Sequence, residues 1–290
     1  MIQRCRVADF SFEFQLPNSH PLCGALGNYR AFLEVRDGEG DGVSAGAGAP
    51  ADFSLICFFD TARLQGSGTS ISWAADGVRV LLAPTEDQRP VALLSLDSGF
   101  ATGALQMTPE SAEDPATCKY ALNTALMVQF AFYTASRGAL LLHASAVMED
   151  GRAVAFLGKS GTGKSTHSRL WLEAFPGTAL LNDDNPAVRI FPEEVRIYGT
   201  PWSGKTPCYK QISAPLHGLV RLRQAPANSM VRLKDIEAYL AVSSSVSASH
   251  LKGVRDLLHD SISALVQRIP IFRLDCLPNV GAAQLCHEIF

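Results

Sequence analysis

Residues 156–172, FLGKSGTGKSTHSRLWL, constrain this chain more than any other stretch. Within them, residues 158–165 match the pattern GxxxxGK[ST], an apolar run leads in, and helical periodicity follows. A strand, a tight loop and a helix in that order turn successive backbone N–H groups into one hollow, to which the helix adds the positive end of its dipole. Gly158, Gly161 and Gly163 suit such a loop because it uses dihedrals closed to other residues. The pattern predicts a cradle for nucleotide phosphates built from Gly158, Lys159, Ser160, Gly161, Thr162, Gly163, Lys164, Ser165 and Thr166. Lys164 would sit on the β- and γ-phosphates and the Ser165 hydroxyl on Mg²⁺.

A second element, TALLNDDNPAV, follows at short range. Asp183 comes nineteen positions after Lys164, room for one helix and one loop. The acids Asp183 and Asp184 are therefore expected at the end of the strand neighbouring the loop strand. There one can hold Mg²⁺ and the other can take a proton from an attacking hydroxyl. Taken alone, Asn-Asp-Asp-Asn-Pro is also a good solvated turn.

The surrounding pattern changes character along the chain. Up to about residue 96, short β-rich runs (VADFSFEFQL, YRAFLEV, FSLICFFD, SISWAAD, VRVLLAP, VALLSL) are separated by Gly, Pro, Asn and Asp, which reads as a smaller β-rich domain over 1–113. The Gly/Ala-rich run 37–52 has little to bury and reads as a surface loop. Residues 114–137 carry helical spacing after an Asp-Pro start and before Gly138, so a connecting helix is expected over 114–138. From residue 139 strands and helices alternate, giving an α/β domain over 139–290. ALLLHASAVME and AVAFLG are joined by EDGR, whose Asp-Gly pair signals a tight hairpin. Helices are expected across 234–267.

Composition narrows the partners. A formal charge of −3 and no Lys/Arg-rich run give no field for nucleic acid or an anionic membrane. No apolar run approaches the roughly 20 residues that span a bilayer, and the amino terminus lacks a signal-peptide core. Seven scattered cysteines without CxxC spacing suggest reduced thiols, most of them buried, rather than disulfides or a zinc cluster. A soluble, cytoplasmic protein with small-molecule or protein partners is expected.

Three further sites are open on the residues alone. His143 lies within an apolar run, where lone histidines are more often satisfied core residues than catalysts. His167, on the first turn after the loop, either approaches a nucleotide or caps and solvates its helix. Arg221 and Arg223 alternate along LVRLRQ and either neutralise phosphate together or face solvent together.

LHASAV, GKSGTGKST and NDDNPAV, within residues 143–188, together resemble the HPr kinase/phosphorylase superfamily, whose nucleotide domain is related to that of phosphoenolpyruvate carboxykinase. The terminal IPIFRLDCLPNVGAAQL extends the likeness over about 139–290. The resemblance implies a phosphate-loop domain with a mixed β-sheet and flanking helices. It implies ATP and Mg²⁺ as cofactors, His143 as a strand histidine near the active site, Lys164 and Ser165 on phosphate and metal, Asp183 as base, and Asp184 on the metal. It is nearest to the subgroup with GTPWSGKTPCY at 199–209, in which Lys205, beside Trp202 on a Gly-containing loop, closes over phosphates or acceptor unless it is a plain surface turn. Relatives of this kind are often oligomers, so a homo-oligomer is implied. The Arg-Gly-rich signature after the acids is absent and Thr166 stands where those enzymes usually carry an acid, so the likeness does not extend to HPr as acceptor. Neither a carboxykinase metal pattern nor an [NT]KxD base-reading motif is present.

These readings converge on a kinase moving the γ-phosphate of ATP to a hydroxyl of serine type on a small metabolite, peptide or protein, including a ribosomally made peptide precursor. The alternative is a nucleotide-dependent regulatory module that hydrolyses ATP slowly and has no acceptor. The β-rich amino-terminal part would help form the acceptor site or bind a partner.

Overall fold

A computed structural model describes residues 2–17, 26–34, 50–61, 63–204, 206–247 and 253–290. Their contacts divide the chain into two compact units, Met1–Tyr133 and Thr134–Phe290. The whole is a mixed α/β structure.

The first unit is a seven-stranded sheet built from β1 (Ile2–Val7), β2 (Phe10–Gln15), β3 (Phe53–Phe59), β4 (Ser70–Ala74), β5 (Gly77–Leu82), β6 (Ala92–Asp97) and β7 (Thr102–Met107), in the order β1-β2-β3-β7-β6-β5-β4. The run VADFSFEFQL is a strand preceded by a hairpin turn: it starts on the last residue of β1 and continues as β2. Ala8 and Asp9 take φ values of 48° and 60° between the paired Val7 and Phe10, as a two-residue turn between twisted strands requires. YRAFLEV, expected as a strand, instead enters a 3-10 helix at Gly27–Phe32 that buries Tyr29 and Phe32. Most of the Gly/Ala-rich run 37–52 lies outside the described residues.

A short helix, α1 (Pro109–Glu113), precedes the long α2 (Pro115–Ala135). The Asp114 carboxylate accepts from the N–H groups of Ala116 and Thr117, the start signal expected from Asp-Pro. Phe130 meets Phe10 and Phe53 edge-on at 5.9 and 6.2 Å. The fully buried Gln129 donates to the carbonyls of Ser54 and Phe100, pinning this helix to the sheet.

The second unit contains β8 (Ala139–Leu141), β9 (Ala144–Glu149), β10 (Arg152–Leu157), α3 (Lys164–Ala174), β11 (Ala179–Asp184), β12 (Ala187–Ile190), β13 (Val195–Tyr198), β14 (Ser213–Gln224), β15 (Ser229–Leu233), α4 (Asp235–Ser243), α5 (Val254–Arg268), β16 (Ile271–Cys276) and α6 (Val280–His287). The 12 residues of β14 pair with β13 at one end and lie between β10 and β16 at the other. The main run is thus β11-β9-β10-β14-β16-β15, with β10, β14 and β16 parallel. Five consecutive residues of β10 are buried, the pattern of a strand covered on both faces.

The EDGR hairpin forms as expected, with Asp150 and Gly151 at φ 48° and 76°. Two other expectations are corrected. ALLLHASAVME is not one strand: β8 pairs with β12 while β9 pairs with β10 and β11, and the chain breaks between them at Leu142 and His143. Nor does β11 neighbour the loop strand, because β9 lies between β11 and β10, antiparallel to both.

A cluster of Val154, Phe156, Trp171, Val220, Leu222, Leu274 and Cys286 welds α3 and α6 to one face of this sheet. A buried Ser145 to Ser168 hydroxyl contact of 2.6 Å ties α3 to β9. These contacts fix the direction of α3, and therefore of the loop ahead of it. Among the described residues no helix is long and apolar enough to cross a membrane.

Candidate functional site

Residues 158–163 join β10 to α3. Gly161 and Gly163 take φ values of 80° and 107°, a region that a Cβ disfavours. Gly163 is the residue ahead of α3, and no side chain caps that helix. An α-helix leaves its first N–H groups without intrahelical partners, so the loop opens onto uncapped donors at the positive end of the helix dipole.

Lys164 curls back into this hollow and is 8% exposed. Its Nζ donates to the Gly158 carbonyl at 2.9 Å and to the Lys159 carbonyl at 3.4 Å, and lies 2.9 Å from His143 Nε2. Burial pushes the lysine below its ordinary value, against the opposing pull of Asp184 and Asp183.

The acids arrive from the far side of β9. Asp183 is paired with Ser145 and Asp184 with Ala144, which is itself opposite Leu157 at the end of β10. One antiparallel strand therefore brings the carboxyl ends of β10 and β11 level. Ser165 Oγ donates to Asp183 Oδ1 at 2.9 Å, and His143 Nδ1 lies 2.9 Å from Asp184 Oδ1. His143 is thus not a core residue: its side chain is 37% exposed and bridges Lys164 to Asp184 from the break between β8 and β9.

Asp184 has φ 136°, outside the range that a residue with a Cβ prefers, at a cost of order 1–3 kcal/mol. The surroundings enforce it. Asn185 Nδ2 donates to Asp184 Oδ2 at 2.8 Å, and Ser247 Oγ donates to Asn185 Oδ1 at 2.8 Å. Buried Asn182 accepts from the Asn185 N–H and donates to Thr200. From the GTPWSGK segment, Ser203 Oγ and the Gly204 N–H both donate to the Asp183 carbonyl, at 3.0 and 2.6 Å. Asn182, Asn185, Thr200, Ser203 and Gly204 were not singled out in the sequence. The signal for two of them was there, since Asn flanks both acids.

The remaining expected residues divide. Lys159, Ser160, Thr162 and Thr166 lie on the loop and the first turn of α3, with Thr162 Oγ1 closing onto the Lys159 carbonyl at 2.7 Å. Lys205 lies outside the described residues. Trp202 is buried and contributes to the fold beneath the segment. His167 does not cap or solvate its helix: 3% exposed, it stands edge-on to Phe156 at 4.6 Å and accepts from Trp171 Nε1, and burial drives it down to about 4. Arg221 donates to Ser244 Oγ at 2.6 Å and Arg223 to Asp275 Oδ1 at 2.6 Å, so both are occupied within the fold.

This arrangement joins hard oxygen donors, a cation and uncapped N–H groups at one rim. Ser165 and Asp183 offer adjacent oxygens of the kind Mg²⁺ takes when phosphates supply its other ligands. Among the described residues no group of three or more His, Cys, Asp or Glu side chains forms an all-protein metal cage.

No protein-family model matches the chain, and no curated protein matches it. Among solved structures, the HPr(Ser) kinase/phosphatase from Coxiella burnetii aligns over 51% of this chain and 95% of its own, with 13% identity and a TM-score of 0.32. Likeness at that level carries no argument about fold or chemistry.

Proposed function

We propose that residues 139–290 form a phosphate-loop domain of the HPr kinase and carboxykinase type, and that this domain is the donor site of an ATP- and Mg²⁺-dependent phosphotransferase acting on a hydroxyl. One observation carries the reading: two separate carboxylate pairs, Ser165–Asp183 and His143–Asp184, flank the buried Lys164 at the uncapped end of α3. A generic anion cradle needs the lysine and the loop but not two differently partnered acids.

In this reading the loop N–H groups and Lys164 hold the triphosphate, and Ser165 with Asp183 holds Mg²⁺. When bound, the metal would supply positive charge to offset the phosphate charge. This gives the metal to Asp183 rather than Asp184, because Asp183 already accepts from the Ser165 hydroxyl. Arrival of the γ-phosphate draws the Lys164 ammonium away from His143 Nε2. That nitrogen then takes the proton of the acceptor hydroxyl, whose oxygen attacks the γ-phosphorus as the bond to the β,γ-bridging oxygen breaks and ADP departs. Asp184 holds the ring and offsets the charge it gains, the role a carboxylate plays behind a histidine base. The buried free thiols support a reducing, cytoplasmic setting.

The test is transfer of label from γ-labelled ATP with Mg²⁺ to a pool of hydroxyl-bearing metabolites and peptides. Label in an acceptor, lost in Lys164→Ala, supports the kinase. Label released only as free phosphate, whatever the pool, assigns the chain to the regulatory class instead.

A further inference from the structure

On the side of the glycine loop away from Asp183 lies a cavity of about 410 Å³. The sheet order explains its place: the acids end β11, the loop leaves β10, and this cavity opens beyond the ends of β14 and β16. Its walls are the loop around Gly161, Leu170 of α3, Leu222, Gln224 and Ala225 from the end of β14, and Leu277 with Pro278 after β16.

We infer that this cavity is the adenine subsite of the nucleotide donor, with Gln224 as the residue that reads the base. The inference rests on the reading of residues 158–166 as a phosphate cradle. Three observations support it. First, a triphosphate lying along the loop with its terminal phosphate at Asp183 directs its nucleoside to the opposite side, where the cavity is. Second, the walls are more apolar than polar, with Thr162 and Thr166 beside the aliphatic side chains, and among the described residues no Lys, Arg, Asp or Glu side chain lines it. The two titratable groups it does contain, His167 and Cys276, are held in their neutral forms by burial. An uncharged slot with aliphatic side chains and a few neutral polar groups suits a neutral heteroaromatic ring better than an anion or a cation.

Third, Gln224 is oriented. Its Nε2 donates to the Gly161 carbonyl at 3.3 Å, and a carbonyl accepts only donors, so the amide nitrogen must face the loop. Oε1 and a second N–H remain to read a ligand. Adenine offers an amino donor beside a ring-nitrogen acceptor, the complement of that pair, whereas guanine in the same pose sets its O6 against Oε1.

The experiment is calorimetric binding of Mg·ATP, Mg·GTP and Mg·tripolyphosphate to the full chain and to Ala225→Trp and Leu277→Trp, which fill the cavity. Leu277 is 38% exposed, so its variant folds even if the first does not. The expected result is ATP about tenfold or more tighter than tripolyphosphate and GTP, with ATP falling to the tripolyphosphate level in the variants while tripolyphosphate is unchanged. ATP and tripolyphosphate binding alike to the unmodified chain, unaltered ATP affinity in Leu277→Trp, or GTP binding as well as ATP each overturns the inference and leaves the phosphate cradle standing. Failure of the unmodified chain to bind any of the three removes the cradle itself, and the inference with it.

Discussion

Lys164 Nζ stands 2.9 Å from His143 Nε2, and an ammonium has only protons to give, so the ring must accept there. The imidazole proton is then on Nδ1, aimed at Asp184 Oδ1 2.9 Å away. A doubly protonated ring would set an N–H against the ammonium. In the arrangement observed, Nε2 is the accepting nitrogen of the ring and Nδ1 the donating one. Side-chain ¹⁵N spectra of the ligand-free protein are expected to show His143 protonated at Nδ1 and bare at Nε2. In Lys164→Met the Nε2 resonance should move, because its donor is gone. A bare Nδ1 in the unmodified protein would sink the proposed proton path.

The two aspartates should separate in function. Asp183→Asn removes a charge beside Ser165 and is expected to weaken the Mg²⁺ dependence of ATP binding, raising the Mg²⁺ needed for half-saturation by about tenfold, or roughly 1.4 kcal/mol. Asp184→Asn and His143→Gln should bind Mg·ATP within about threefold of the unmodified chain and lose phosphoryl transfer by 10²–10⁴, the range that general-base catalysis supplies. Titrating Mg²⁺ and ATP in the three variants checks the division. Equal loss of metal affinity in Asp183→Asn and Asp184→Asn would return the metal to both carboxylates.

What the sequence exposed, and what it hid, follow from the range of the forces involved. The loop at 158–166 was legible because its positive-φ positions had to be glycine. The helix at 115–135 was legible because Asp114 and Gly138 mark its ends locally. The place of the acid strand was not, since nothing in TALLNDD says that β9 intervenes before β10; strand order is decided by pairing between distant segments. The residues alone left His143 open for the same reason, and only the resemblance placed it near the site. Its neighbours are apolar, and the break at Leu142 arises only when the Leu142 and His143 N–H groups find Pro186 and Ser245 carbonyls. The pair Arg221 and Arg223 looked available for phosphate until Ser244 and Asp275, 23 and 52 residues away, came to meet them. YRAFLEV alternates well enough for a strand, yet burying Tyr29 and Phe32 together favours a helical turn.

The GTPWSGK segment acts on the acids through its backbone. A Cβ on Gly204 would stand 3.1 Å from Asp184 Cβ and 3.3 Å from the Asp183 carbonyl oxygen, closer than ordinary contact. Relief requires the segment to rise by a few tenths of an ångström, which lengthens the Gly204 N–H bond to Asp183. Gly204→Ala is therefore expected to lower transfer at least tenfold while costing less than about 2 kcal/mol in stability. The pair of measurements is turnover and urea unfolding on the same preparation. Full activity with an unchanged midpoint would mean that the segment does not set the position of the acids.

His167 makes stability depend on pH below neutrality. Buried against Phe156 and accepting from Trp171, it titrates near 4 in the folded chain, compared with 6.5 for the free side chain. The unfolded chain binds a proton at mildly acid pH that native His167 refuses, so acid draws the equilibrium toward unfolding. Its contribution is complete above about pH 6.5 and drains as the pH falls toward 4, by about 3 kcal/mol over that interval. His167→Gln keeps an acceptor for the Trp171 N–H but has no proton to gain. Urea unfolding of both proteins from pH 7 to pH 4 should show the unmodified chain losing more stability than the variant, with the gap opening below pH 6.5. Parallel curves would mean that His167 is hydrated in solution, and would loosen the proposed α3 face of the neighbouring cavity.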